Sequence, residues 1–354
     1  MNIGFSDIGL SPAIANDIII PCQNDGKTAD ISVIINGITI YSTTLYVVDD
    51  NVRLYALGTL VNDHMRSHGI IMAKLKVNAY FETHLDNAEV VVIYSAIRTS
   101  YESDIEFLLK HYLTTRNCYT IPRGKYLQVA FFNPAQDQST SGTFEVSFRL
   151  NDGSVHSARV PHELNDMQDD YVYYFSISAP SLENELRQLY PNDNPIVLGG
   201  SVIHGNRSLD FYFVEEQPVE EFIFQNAFNV WEHYYVYGTT KKKTEVNHKE
   251  GVVHGVSTYY DQSHESKVQV ETIPLTLEEA DWLNQFLYSP CICKIIPPDD
   301  DRTIFLSDIS SEISDSPKDK NIIKFSWKYA EPYHWKIFGE IPQVFRHEYS
   351  EPFA

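Results

Sequence analysis

Two cysteines one residue apart, Cys291 and Cys293, share the last third of the chain with His233, His248, His254 and His264. Thiolate and imidazole are zinc ligands, but a C-x-C with scattered histidines is not the spacing of a structural zinc module. In a strand, both cysteines face the same side, where a disulfide between them would be strained, so buried thiols are expected. The chain lacks a G-x-S-x-G elbow, a P-loop, a G-x-G-x-x-G turn and an H-E-x-x-H helix. Gly199-Gly200 precedes the strand-like SVIH and so lacks the strand-turn-helix setting that phosphate binding needs. Carboxylates are too abundant for a glycosidase pair to stand out, and Glu215-Glu216 and Glu220-Glu221, in a Pro-containing connection, are expected to face water. No catalytic residue, cofactor or metal site is expected.

Aromatic residues leave one open chemistry. Trp231, Tyr234, Tyr237, Tyr259 and Tyr260 could stack on sugar rings or line an interface. Against that, alternate members of each strand serve equally well as core, with tyrosine at the wet edges.

The elements that must position these residues are mostly strands. Tyrosine is abundant, with 23 copies, and aromatic content is 13%, which suits pleated surfaces and real cores. A length of 354 residues predicts two or three domains. The reading is a mainly β chain with a few helices, a β-rich α+β class. It comprises tandem antiparallel β-sandwich or barrel-like domains, the last with one packed helix. The expected divisions are 1–97, 98–192, 193–340 and a tail at 341–354, with PNDNP (191–195) as the main boundary.

Within 1–97, ISVII and ITIYS flank Asn36-Gly37, a type I′ hairpin signal. Asp50-Asn51 is placed to cap a helix carrying Leu54, Leu57, Val61 and Met65 on one face, ended by Gly69. Ser103 with Glu106, and Thr276 with Glu279, have capping-box spacing. The second of these starts a helix with Ala280, Leu283, Phe286 and Leu287 on one face and Ser289-Pro290 as its stop. A strand over 230–237 is expected to alternate Trp231, His233 and Tyr235 against Glu232, Tyr234 and Val236. Segments KKKTEVNH, VVHGVSTYY and KVQVETI are spaced as an antiparallel meander.

Net charge is −21, from 27 Lys and Arg against 48 Asp and Glu. A partner held through phosphates, such as a nucleic acid duplex, is disfavoured. The single basic run, Lys241-Lys242-Lys243, fits a solvated turn or a guarded edge strand. No stretch reaches the roughly 18–20 apolar residues of a membrane span, and the first residues do not read as a secretory signal, so membrane insertion and export are not expected.

FIFQNAFNVWEHYYVYGTT, followed by a polar hairpin, resembles virion proteins of phages and prophages of gut Bacteroidetes. LTLEEADWLNQFLYSPCICKI resembles the same proteins. The likeness spans about residues 208–330 and is loose in residue identity. It implies a structural tail or baseplate protein, nearest to distal tail proteins, with the last domain forming a ring or docking to neighbours. Expected partners are further copies of the chain and other virion proteins, with assembly in the cytoplasm of a bacterial host. The alternative is a carbohydrate-binding or adhesion protein of a bacterial or viral surface, contacting host glycans.

Overall fold

A computed structural model describes residues 8–11, 18–22, 27–97, 102–135, 141–163, 167–253, 256–296, 300–311, 313–314 and 320–330 of the chain. The expected tail at 341–354 lies outside the described residues, as does the side chain of His254. The molecule is mainly β with helices packed on the sheets, the class expected from sequence.

The first unit contains β1 (Ile8–Leu10), β2 (Ile18–Pro21), β3 (Thr28–Ile35), β4 (Ile38–Tyr46), β5 (Asn51–Leu54), α1 (Leu57–Ser67), β6 (Met72–Tyr80) and β7 (Leu85–Ile93). Five strands form a sheet in the order β1-β7-β6-β3-β4, while β2 and β5 pair separately. Asn36 and Gly37 both take positive φ and turn β3 into β4, with Ile35 opposite Ile38. Alternate residues of β3 and β6 meet α1 through Leu57, Val61 and Met65 to close a core. The helix start differs from expectation. Asn51 opens strand β5, and the chain enters α1 through Ala56 in the left-handed region without a side-chain cap. Pairing of β5 with β2 holds residues 51–54 extended, and Leu54 is buried from a strand instead of a helix.

The next elements are α2 (Asp104–Lys110), β8 (Cys118–Pro122), β9 (Tyr126–Asn133), β10 (Ser141–Arg149), β11 (Val155–Glu163), β12 (Tyr171–Ser178), α3 (Ala179–Leu189), β13 (Ile196–His204) and β14 (Arg207–Val214). The Ser103–Glu106 capping box starts α2 as predicted. Strands β11-β10-β13-β14-β8 make one sheet, and β12-β9 a second layer over it. Phe131, Phe144, Phe148, Phe175 and Phe211 fill the space between, with Leu182 and Leu186 of α3. β13 pairs with β10, and β14 lies parallel to β8. The ladder therefore runs across the 192/193 division expected from PNDNP. That segment is a turn leading from α3 into a strand of the preceding sheet. Gly199 and Gly200 lie inside β13.

Arg207 is fully buried. Its guanidinium donates to the Leu108 carbonyl at 2.6 and 3.1 Å and to the Phe132 carbonyl at 2.8 Å, and it lies over the Phe131 ring. Carbonyl acceptors and a ring face together offset the desolvation of this cation.

The last unit holds β15 (Glu220–Gln225), β16 (Trp231–Val236), β17 (Gly238–Val253), β18 (Val256–Thr272), α4 (Leu277–Tyr288), β19 (Ile292–Ile296), β20 (Asp300–Ser311) and β21 (Ile323–Tyr329). They form a seven-stranded sheet, ordered β16-β15-β19-β20-β21-β18-β17. The capping box Thr276–Glu279 starts α4, whose Phe286 packs on Phe222, Phe224, Tyr234 and Phe325. The expected meander is one long hairpin of β17 and β18. β18 meets β21 only over Val268–Glu271. Beyond that, residues 243–267 pair only with each other among the described residues, over roughly 35 Å at ~3.3 Å per residue. Lys241, Lys242 and Lys243 stand exposed on β17, at the sheet edge as predicted.

Candidate functional site

The segment QNAFNVWEHYY organises the centre of the molecule. Asn226 accepts hydrogen bonds on Oδ1 from the amides of Phe228 (2.9 Å) and Val230 (3.2 Å), tightening the turn between β15 and β16. Its Nδ2 donates to the Leu113 carbonyl and to Glu232 Oε2, each at 2.8 Å. Asn229, in the left-handed region at φ 58°, donates to the carbonyls of Met65 (3.1 Å) and Ile70 (3.0 Å). One turn thus ties the last sheet to the first unit and to the loop after α2.

Glu232 is the buried acid of this centre. The Tyr119 hydroxyl donates to it, as do Trp282 Nε1 at 2.6 Å and Thr114 Oγ1 at 3.2 Å. Burial raises its carboxyl above the usual range, and the four donors offset part of that. Four side-chain donors thus converge on this carboxyl and satisfy it in the interior. The expected alternation along β16 is replaced by unbroken burial from Glu232 to Val236. The reason is that β16 is covered on both faces, by α4 on one side and by β9 near Tyr126 on the other.

Beside this acid lies a cavity of about 160 Å³, lined chiefly by Tyr119, Tyr234, Tyr235, Tyr237, Trp282 and Arg116. Arg116 sits over the rings of Tyr119 and Trp282, each with its centroid 4.9 Å away, and bonds Glu279 at 2.7 Å. His233 also borders the cavity. Burial, with the Lys125 charge, lowers it to about 4. Tyr237 is pushed up to about 12 by burial and by Glu216, and its Oη has no hydrogen-bond partner among the described residues. Exposed Glu216 and Ile273 mark the mouth.

Of the sequence candidates, Tyr234 and Tyr237 meet at this cavity, whereas Trp231 is half-buried and does not line it. Tyr259 and Tyr260 fall on β18, with Tyr259 opposite Glu250, roughly 40 Å along the hairpin from Tyr237 at ~3.3 Å per residue. Their side chains lie outside the described residues. The five aromatics therefore do not form one surface. Arg116, Tyr119 and Trp282 carry no local signal for their meeting. Arg116 precedes the short strand β8 and Tyr119 lies within it, and Trp282 lies off the named stripe of α4.

Glu215 is exposed as expected, but Glu220 and Glu221 are not simply solvated. They occupy β15 and pair with Lys294 and Lys125 respectively, with 11% and 12% of each carboxylate side chain accessible. The lysines come from β19 and the loop before β9, contacts that no local pattern encodes.

Cys22, Cys118, Cys291 and Cys293 are free thiols, and burial raises Cys118 and Cys293 away from the reactive range. Among the described residues, no three His, Cys, Asp or Glu side chains are grouped to hold a metal. No helix among them is long and apolar enough to cross a membrane. No protein-family model matches the chain, and no curated protein matches it.

Proposed function

We propose that the chain is a non-enzymatic structural component of a phage virion, in the tail or baseplate. It forms a ring or docking platform through β contacts between subunits. The observation that carries this reading is the β17–β18 arm. A two-stranded ribbon in water is marginal without further layers, yet β17 is exposed along almost its whole described length. Such an arm fits a partner that supplies the missing strand or layer. The polar groups in the interior support the same reading from the other side, because Glu232, Asn226 and Arg207 serve packing. The resemblance of residues 208–330 to phage virion proteins agrees with it. Electron microscopy and light scattering of the purified protein test the proposal. Ring-shaped or stacked particles are expected, and a strict monomer that enters no particle overturns it.

The second reading is carbohydrate binding, favoured by the unpartnered Tyr237 Oη in an aromatic cavity beside a fixed guanidinium. A hydroxyl-rich ring would stack on aromatic faces and supply the missing partner. Titration calorimetry with neutral hexoses and bacterial surface glycans tests it. Binding abolished by Tyr237→Phe supports this reading, and no heat with any sugar removes it.

A further inference from the structure

Two of the sheet edges left unpaired among the described residues are chemically unlike. β17 ends the seven-stranded sheet and presents Lys241, Lys242 and Lys243, followed by Val246, all exposed. β4 ends the first sheet and has β3 as its ladder partner. Its nine residues, ITIYSTTLY, hold no charge and no proline. Ile40 and Leu45 lean on the core, while Ile38 is 65% exposed and Tyr46 77%, with Val48 beyond them at 63%. A β-branched, uncharged edge of this length is a template for strand addition unless something covers it. At its C-terminal end stand three exposed carboxylates, Asp30, Asp49 and Asp50.

We infer that β17 of one copy adds antiparallel to β4 of a second copy, with Lys241–Lys243 set against Asp30, Asp49 and Asp50. The direction follows from charge. Antiparallel pairing brings the start of β17, where the lysines are, to the end of β4, where the carboxylates are, and lays Val246 along the uncharged middle. Parallel pairing would place those lysines at Ile38 and leave the carboxylates opposite Glu250. In a chain of net charge −21, copies repel except where such a contact offsets it. Each copy carries one edge of each kind, so the contact is head-to-tail, the arrangement that closes into a ring when its rotation permits. This inference rests on the assembly reading above and specifies its interface.

Charge reversal at both edges is the test, read by sedimentation and light scattering of the full chain over a wide concentration range. The triple variant Lys241→Glu, Lys242→Glu, Lys243→Glu and the double variant Asp49→Lys, Asp50→Lys should each raise the dissociation concentration by about tenfold or more. Mixing the two variants should restore association between them, and circular dichroism should show both folded. In an otherwise unchanged chain, Tyr46→Cys with Lys243→Cys should cross-link between copies, located by peptide mapping. An oligomer indifferent to both reversals overturns this pairing but leaves the assembly reading standing. A two-fold dimer that cross-links β4 to β4 does the same. A monomer at every concentration overturns both. So does a monomer whose β4 amides resist hydrogen exchange, since the chain itself would then cover that edge.

Discussion

β16 and β17 are separated by Tyr237 alone, yet they lie in opposite environments. From Glu232 to Val236 the chain is buried without a break, and its one acid receives four side-chain hydrogen bonds. From Thr239 to Val246 the strand is exposed, and its lysines face solvent. The change falls at Gly238, where a β-carbon would collide with the Glu271 carbonyl oxygen, so only glycine lets β17 lie against β18 at that point. The contrast shows where each part of the sequence acts. The Glu232 centre uses its polar groups to hold three units together, whereas the described side chains of β17 stand mostly in solvent, where Lys243 pairs with Glu245 two residues along the same strand.

Loss of Glu232 should mark this difference most strongly. Glu232→Ala strands the donors of Tyr119, Asn226 and Trp282, at about 1–3 kcal/mol each, and a total loss of about 3–5 kcal/mol is expected by urea denaturation. A change below 1 kcal/mol would mean the centre is not what secures the fold.

The next effect is a pH dependence from His233. It stays neutral in the folded chain down to about pH 4, whereas the unfolded chain protonates it near 6.5. Between those values the unfolded state binds more protons, so stability is complete above pH 6.5 and falls as pH drops towards 4, by up to about 3 kcal/mol. Glu232 has the opposite sign, because its raised carboxyl takes up a proton before the unfolded chain does, which offsets part of the loss. The profile of wild type minus His233→Gln isolates the histidine. Parallel profiles would show that His233 is not desolvated.

Asn229 tests the tie between the last sheet and the first unit. Asn229→Ala removes the bonds to Met65 and Ile70 and places alanine at positive φ, for about 2 kcal/mol. Asn229→Gly keeps the backbone and should cost less. Equal costs would remove the backbone from the explanation.

Thr276→Ala deletes the cap of α4, which delivers Trp282 and Glu279 to the cavity wall. About 1 kcal/mol is expected, read as a lowered thermal midpoint, and an unchanged melt would dismiss the cap. On the arm, Lys241→Ala with Lys242→Ala should shift monomer stability by no more than about 0.5 kcal/mol. A larger loss would mean that the arm is part of the folded core, and the contrast between neighbouring strands would fail.

Several features could be read from residue types a few positions apart. Asn36-Gly37 fixes a turn because both positions require positive φ, and the two capping boxes fix helix starts because a hydroxyl and a carboxylate three residues apart satisfy two local amides. The edge position of Lys241–Lys243 follows from the cost of burying three ammonium groups. Where a local signal competed with a distant partner, the partner won: Asp50-Asn51 has the residues of a cap, but pairing with Ile18–Pro21 made it the start of a strand.

What no window of sequence contained is the meeting of Glu232 with Tyr119 and Trp282, across separations of 113 and 50 residues. The same is true of the lysines that pair with Glu220 and Glu221, of β13 joining the sheet of β10, and of the unpaired edge of β4. Charge, strand content, turns and caps are properties of neighbouring residues, and the sequence by itself determined them. Which acid is buried and which edge is left unpaired depends on surfaces brought together from distant parts of the chain, and only the tertiary structure decided those.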